Sequence, residues 1–320
     1  MYDPIYKLPY WSGTNSTQIP LQASMMSTVT APTNDSGPDP YEARVVRAAG
    51  ERPISYAEYG RPDGAPVVFF HGTPGSRLLG TLLDRPAQKH GVRVLAPDRP
   101  GYGRSPSWPD RSIRDAAEFV TPVLDDAGVE TASLVGFSGG GPYALATAAD
   151  LSNRVDHVDV IAGATPPCAD GSTPAVQRLV ARLAASVPSV LAGLFRGQAW
   201  LADRLSPSFV VDQYTSADVG NPVPEDVAEI VRADFVEAFA ERRTGAVIEF
   251  RTTATEWDID LASITPRVDL WYGDADTNVP IDGARWLERE LPTVQLHVHQ
   301  GADHIRTLTR SIPEVLGGDR

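Results

Sequence analysis

The hydrophobic pattern changes character near residue 41. Residues 1–40 are rich in Ser, Thr, Pro and Asn (Trp11-Ser12-Gly13-Thr14-Asn15-Ser16-Thr17, then Ala31-Pro32-Thr33-Asn34-Asp35-Ser36). No period of 2 or 3.6 runs through them, so a disordered or loosely packed tail is expected. Beyond it, short apolar runs appear at Arg44–Arg47, Ile54–Tyr59, Val67–Phe70, Val92–Ala96, Ala132–Val135 and Val158–Ala162. Helix-length stretches separate the later ones, at about 76–90, 112–127 and 141–151. Runs without alternation suit strands buried on both faces, and strand–helix alternation predicts a parallel, doubly wound sheet. The first two runs have no helix between them, so an antiparallel hairpin at one edge is expected. From about 170 to 250 the period is helical, with Val180, Leu183, Val187, Val190, Leu191 and Leu194 apolar and Pro188, Pro207, Pro222 and Pro224 dividing it. Strand signals return at Arg267–Tyr272 and Val294–His299, around a helix at 282–291. The expected architecture is an α/β core (41–164 and 256–320) with a helical cap (165–255) inserted after the sixth strand.

Composition narrows the function without naming it. The chain has 320 residues, 42% of them hydrophobic and 22% charged, which are ordinary globular values. A net charge of −13 argues against nucleic acid or an anionic membrane as partner. The single cysteine, Cys168, excludes an intramolecular disulfide and a cysteine zinc cage. No run of 18 apolar residues is present, and no basic start with an apolar stretch marks a signal peptide, so the expected location is the cytoplasm. Met25 or Met26 is an equally good first residue.

The strongest local signal is Gly136-Phe137-Ser138-Gly139-Gly140, placed between the apolar run Leu134-Val135 and the helical Gly141-Pro142-Tyr143-Ala144. A G-x-S-x-G on a sharp strand-to-helix turn lifts a serine above the sheet, and the strain demands small flanking residues. The helix N-terminus behind it favours developing negative charge. A phosphate-binding loop fits worse, because no Lys follows and the glycines do not space as G-x-G-x-x-G. A nucleophilic Ser138 needs a base. His304, in Gly301-Ala302-Asp303-His304 just after the last predicted strand, sits at the sheet edge where the serine turn emerges. The orienting carboxylate belongs to Trp271–Pro280, where Asp274 and Asp276 both qualify; Asp276, beyond the turn begun by Gly273, is preferred. Asp303 suits a cap or loop position. His297 and His299 share a strand face but lack a third ligand cluster, so ordinary strand positions are expected and no metal. Oxyanion donors are expected from the backbone N–H groups of Gly139 and Thr73, the latter in His71-Gly72-Thr73-Pro74-Gly75, where Pro74 cannot donate. Each is worth about 3–4 kcal/mol to a transition state.

Together these pieces resemble the α/β-hydrolase superfamily. Ser138, Asp276 and His304 follow its chain order of nucleophile, acid and base. His71-Gly72-Thr73-Pro74-Gly75 looks like its oxyanion loop, Asp98-Arg99-Pro100-Gly101-Tyr102-Gly103 like the loop after its fourth strand, and Gly273-x-x-Asp276-x-x-Val279-Pro280 like its acid turn. The resemblance implies a mostly parallel eight-stranded sheet flanked by helices, with the nucleophile, acid and base roles on those three residues and no cofactor. The His-Gly-x-Pro-Gly loop is similar to that of proline iminopeptidase-like members, although Thr73 stands where those usually carry Gly. Dehalogenases and epoxide hydrolases of this fold use an aspartate nucleophile, so Ser138 disfavours them.

The expected function is a serine hydrolase that cleaves a small, largely apolar carboxylic ester or lactone through an acyl-enzyme on Ser138. The partner is then a small-molecule acyl substrate, and no oligomeric state follows from the pattern. The alternatives are an iminopeptidase-like aminopeptidase, a cofactor-free C–C hydrolase or oxygenase, and a ligand-binding protein without turnover. Leu191, Leu194, Phe195, Trp200 and Phe209 are candidates for a hydrophobic roof, though most should pack helices together, and Trp108 is a further lining candidate. The acids Glu225, Asp226, Glu229, Asp234, Glu237 and Glu241 would either bind a substrate amine or form a solvated helix face.

Overall fold

A computed structural model describes residues 42–169, 174–216, 222–241 and 244–318. The predicted tail, 1–40, lies outside the described residues. Eight strands form one sheet: β1 (Arg44–Ala48), β2 (Arg52–Gly60), β3 (Ala65–Phe70), β4 (Val92–Pro97), β5 (Ala132–Phe137), β6 (Val155–Ile161), β7 (Arg267–Gly273) and β8 (Val294–His299), in the order β1-β2-β4-β3-β5-β6-β7-β8. β1–β2 and β2–β4 pair antiparallel, and every later pair is parallel. The expected edge hairpin is therefore present, and each predicted apolar run lies on its own strand. All six residues of β5 are buried, as a strand covered on both faces requires.

The pleat sends alternate residues to two hydrophobic clusters. Val68, Phe70, Leu134, Val158 and Leu270 join one with α2 (Ala116–Asp126), α3 (Gly141–Asp150) and α9 (Ile281–Glu290). Val67, Phe69, Val135, Ile161 and Trp271 join the other with α1 (Thr81–His90) and α10 (His304–Gly317). α10, which begins at His304, is not among the predicted elements. Ile305, Leu308, Ile312, Val315 and Leu316 recur at helical spacing and are all buried, while Pro313 within the helix disguises the pattern.

Between β6 and β7 lie α4 (Ala175–Ser186), α5 (Pro188–Ala202), α6 (Ser208–Val211), α7 (Glu225–Ala238) and α8 (Thr244–Thr253). The prolines here begin helices: Pro188 opens α5, and Pro207 and Pro224 occupy the N-cap positions of α6 and α7. Leu191, Phe195, Val231 and Phe235 from these helices enter the second cluster. No helix among the described residues is long and apolar enough to cross a membrane.

Candidate active site

Ser138 stands at the turn between β5 and α3 with φ +52°, a left-handed conformation that a non-glycine residue adopts only when its surroundings impose it. Those surroundings are tight. A Cβ at Gly136 would press on Gly140 O, Gly141 Cα and the Ala144 side chain, and one at Gly139 would collide with the Thr73 side chain. Only glycine permits this approach on either side of the serine.

His304 is the first residue of α10. Asp303 caps that helix, its carboxylate accepting the Arg306 N–H, which fixes where His304 projects. His304 Nε2 lies 2.9 Å from Ser138 Oγ, and its Nδ1 lies 2.7 Å from Asp276 Oδ2. The other oxygen of Asp276 accepts the Asn278 and Val279 N–H groups at 2.8 and 3.0 Å. An ionised carboxylate can only accept, so Nδ1 carries the proton and Nε2 is left to accept from the serine hydroxyl. His304 and Asp276 are both buried. Of the two candidate acids, Asp274 is exposed and accepts Gly301 N–H instead.

Thr73 and Gly139 lie against each other beside Ser138. The Thr73 hydroxyl donates to Glu249 Oε1 at 2.5 Å and accepts from Arg99 Nη2 at 3.0 Å. Glu249, fully buried on α8, also pairs with Arg99 (2.5 Å) and Arg111 (2.8 Å). Burial alone would raise its carboxyl, and the two guanidinium groups outweigh that and hold it below the ordinary range. His71 is buried as well, with Nδ1 donating to Gly72 O and Nε2 accepting Arg99 N–H. Burial, with Arg99 nearby, keeps it neutral by lowering its proton affinity well below normal.

Two cavities meet at Ser138. The wider, about 340 Å³, is lined by Ser138, Gly139 and Thr73, by Gln177, Arg178 and Ala181 of α4, by Phe250 and Thr253 of α8, and by Asn278. The narrower, about 20 Å³, lies towards Tyr214, Val231, Asp234, Phe235 and Ile305. A third cavity, about 510 Å³ around Trp257 and Trp286, touches none of the expected site residues.

The expected roof is replaced. Leu191 and Phe195 are packed among helices, the latter stacking on Phe239 and Phe250, while Leu194 and Trp200 are 59% and 55% exposed. Phe209 packs against the second cluster. Trp108 is buried beside Phe119 with the Arg52 guanidinium 3.7 Å over its ring, and it lines neither cavity at Ser138. The acidic group divides. Glu225, Asp226, Glu229 and Glu241 are exposed, whereas Asp234 and Glu237 bind core groups. Asp234 Oδ1 accepts Ser76 N–H, Ser76 Oγ–H and Leu79 N–H, and Glu237 pairs with Arg77. Burial pushes the Asp234 carboxyl up to about 7 despite those donors. Away from the site, His157, Asp159 and Asp269 bring ligand atoms within 4.8 Å of one another, and Asp269 also takes Arg267 and His297. His297 therefore has a carboxylate neighbour on β7 that sequence spacing could not reveal. The buried Glu249–Arg99–Arg111 cluster escaped for the same reason: Glu249 stands 150 and 138 residues from its two arginines.

Comparison with known proteins adds the family context. A family model of the alpha/beta hydrolase fold matches residues 65–310. A 2-hydroxymuconate semialdehyde hydrolase from Pseudomonas putida is 26% identical over 281 residues, 83% of this chain and 88% of the relative. Among solved structures, a bromoperoxidase from Bacillus anthracis superposes with a TM-score of 0.66 at 19% identity, over 86% of this chain and 98% of its own. The esterase RhEst1 from Rhodococcus sp. ECU1013 gives 0.63 at 21% identity, over 85% and 96%.

Proposed function

The chain belongs to the α/β-hydrolase fold family, and on that premise we propose that it is a serine hydrolase cleaving a small carboxylic ester or lactone through an acyl-enzyme on Ser138. The single observation that carries this reading is the unbroken hydrogen-bond chain Asp276–His304–Ser138, at 2.7 and 2.9 Å.

In the proposed reaction Ser138 Oγ attacks the carbonyl carbon while His304 Nε2 takes the hydroxyl proton. Asp276 holds the imidazole in the Nδ1–H tautomer and stabilises its charged form. The oxyanion lies against the Thr73 and Gly139 backbone N–H groups. Collapse breaks the acyl–oxygen bond, and the leaving alkoxide takes the proton from His304. Water then gives a proton to the same nitrogen as its oxygen attacks the acyl carbon; the acyl–Oγ bond breaks, Ser138 takes the proton back from His304, and the acid is released. The inserted helices act as a cap that selects the substrate.

An aminopeptidase would need a carboxylate free to hold a substrate amine. No acidic side chain lines the wider cavity among the described residues, and the narrower one, where Asp234 Oδ1 accepts three donors, holds only about 20 Å³. This favours the ester reading. A chromogenic 4-nitrophenyl ester series from acetate to hexanoate, with lactones alongside, tests it. Turnover by the wild type, with loss of about 10³-fold or more in Ser138→Ala, is expected. Absence of turnover across the series, or full activity in Ser138→Ala, would sink it.

A further inference from the structure

The inserted helices are electrically divided. α4 and α5 carry Arg178, Arg182 and Arg196 with no acidic residue. α7 carries five acids and a single arginine, Arg232. α4 and α7 border different cavities. Asp234 and Phe235 of α7 border the narrow one, and Gln177, Arg178 and Ala181 of α4 border the wide one. In a chain of net charge −13, a cavity bordered by an arginine, itself partly open to solvent, and by no carboxylate among the described residues runs against the overall field.

Arg178 also differs from the arginines deeper in the molecule. Arg77, Arg99 and Arg111 are each committed to a buried carboxylate. The Arg178 guanidinium has no ion-pair or hydrogen-bond partner among the described residues; only its backbone N–H is engaged, with Pro174 O. Arg182 stands one turn further along the same helix and adds to the positive potential. The remaining lining is largely small and apolar (Ala164, Pro167, Ala181, Ala254, Val279). The wider cavity thus combines room for a short hydrocarbon segment with a bordering arginine whose planar fork carries five donors.

We propose that the wider cavity takes a substrate arm ending in a carboxylate, which Arg178 binds, so that the preferred substrates are acidic esters such as dicarboxylic acid monoesters. This deepens the reading of Ser138 as an acyl-transfer nucleophile and rests on it. A carboxylate suits the site because a guanidinium pairs with it bidentately, even where, as at the exposed Arg178, solvent reaches the pair. The overall negative charge slows the approach of such substrates, and Arg178 compensates at the point of binding.

The test compares mono-4-nitrophenyl glutarate with its methyl-capped diester on wild type, Arg178→Gln and Arg178→Lys. Wild type is expected to prefer the acidic ester in kcat/KM. Arg178→Gln should lower that preference about tenfold, mainly through KM, with Arg178→Lys between the two. The preference should also shrink as salt rises. No wild-type preference for the acidic ester, or a preference unchanged in Arg178→Gln, overturns the subsite. Failure of Ser138 as nucleophile has a different signature, since neither ester is then turned over. In that event glutarate binding to Ser138→Ala, measured by calorimetry, decides the subsite. Binding weakened about tenfold by adding Arg178→Gln supports it, and equal affinity or no binding overturns it.

Discussion

The two sides of the site are built on different principles. α7 and α8 reach the core through buried charge. Asp234 caps the turn after β3 through Ser76 and Leu79, Glu237 pairs with Arg77, and Glu249 locks Thr73 to Arg99 and Arg111. α4 has no such anchor. Its side-chain tie to the core is Gln177 Nε2 donating to Asn278 O at 2.6 Å, and its Val176 and Leu179 are 71% and 57% exposed. The anchored side holds the parts that the proposed chemistry requires in fixed positions, above all the oxyanion loop. The unanchored side carries Arg178, which borders the wider cavity. A fixed catalytic wall and a lightly held selecting wall would let specificity change without disturbing the reaction centre.

The largest expected break in this contrast is Glu249→Ala. It leaves Arg99 and Arg111 buried without their common partner, which should cost about 3–5 kcal/mol, read from urea unfolding. Arg178→Ala in the same assay should stay within about 0.5 kcal/mol of wild type. Equal losses in the two variants would erase the distinction between the walls.

Next in size is Gly139→Ala. The added methyl collides with Thr73 and displaces one or both proposed oxyanion donors, so kcat on a neutral ester should fall about 10²-fold while the protein remains folded. Unchanged kcat would detach Thr73 and Gly139 from the reaction.

Asp234 sharpens the contrast through pH. Its carboxyl titrates near 7 in the folded state and near 3.8 when free, so the folded state binds the proton more tightly. That stabilisation is complete below about pH 4 and is lost as pH rises through about 7. The slope is at most about 1.4 kcal/mol per pH unit for one proton. Wild type should therefore lose stability relative to Asp234→Asn between pH 4 and 7 in parallel melts. Parallel curves over that range would contradict the coupling of this anchor to protonation.

The smallest effects are expected at Leu194 and Trp200. Both are more than half exposed on α5, so changing either to Ser should alter stability by no more than about 0.5 kcal/mol and leave ester turnover as it was. A large loss of turnover would return them to the cavity roof.

How far the chain was legible follows the same division. The sheet strands carry their evidence locally, in apolar runs such as Val67–Phe70 and Ala132–Val135, and all eight were readable. That Ser138, Asp276 and His304 come together was readable because strand–turn–helix geometry places their loops at one sheet edge. α10 was not, since Pro313 interrupts a pattern whose apolar residues otherwise recur correctly. The roof was misjudged because bulk and hydrophobicity on a helix do not say which face meets the cavity; Leu194 and Trp200 face solvent and Phe250 faces inward. Glu249 with Arg99 and Arg111, and Arg178 beside the cavity, depend on packing between distant segments, for which single-chain spacing carries no signal.

The central claim is that Ser138 is a nucleophile activated by His304. Covalent labelling with a fluorophosphonate, followed by intact mass and peptide mapping, tests it without knowledge of the natural substrate. One adduct per chain on the Ser138 peptide is expected, with none in Ser138→Ala and strongly slowed labelling in His304→Ala. An unlabelled wild type, or a Ser138→Ala variant labelled as fast as wild type, would contradict the account.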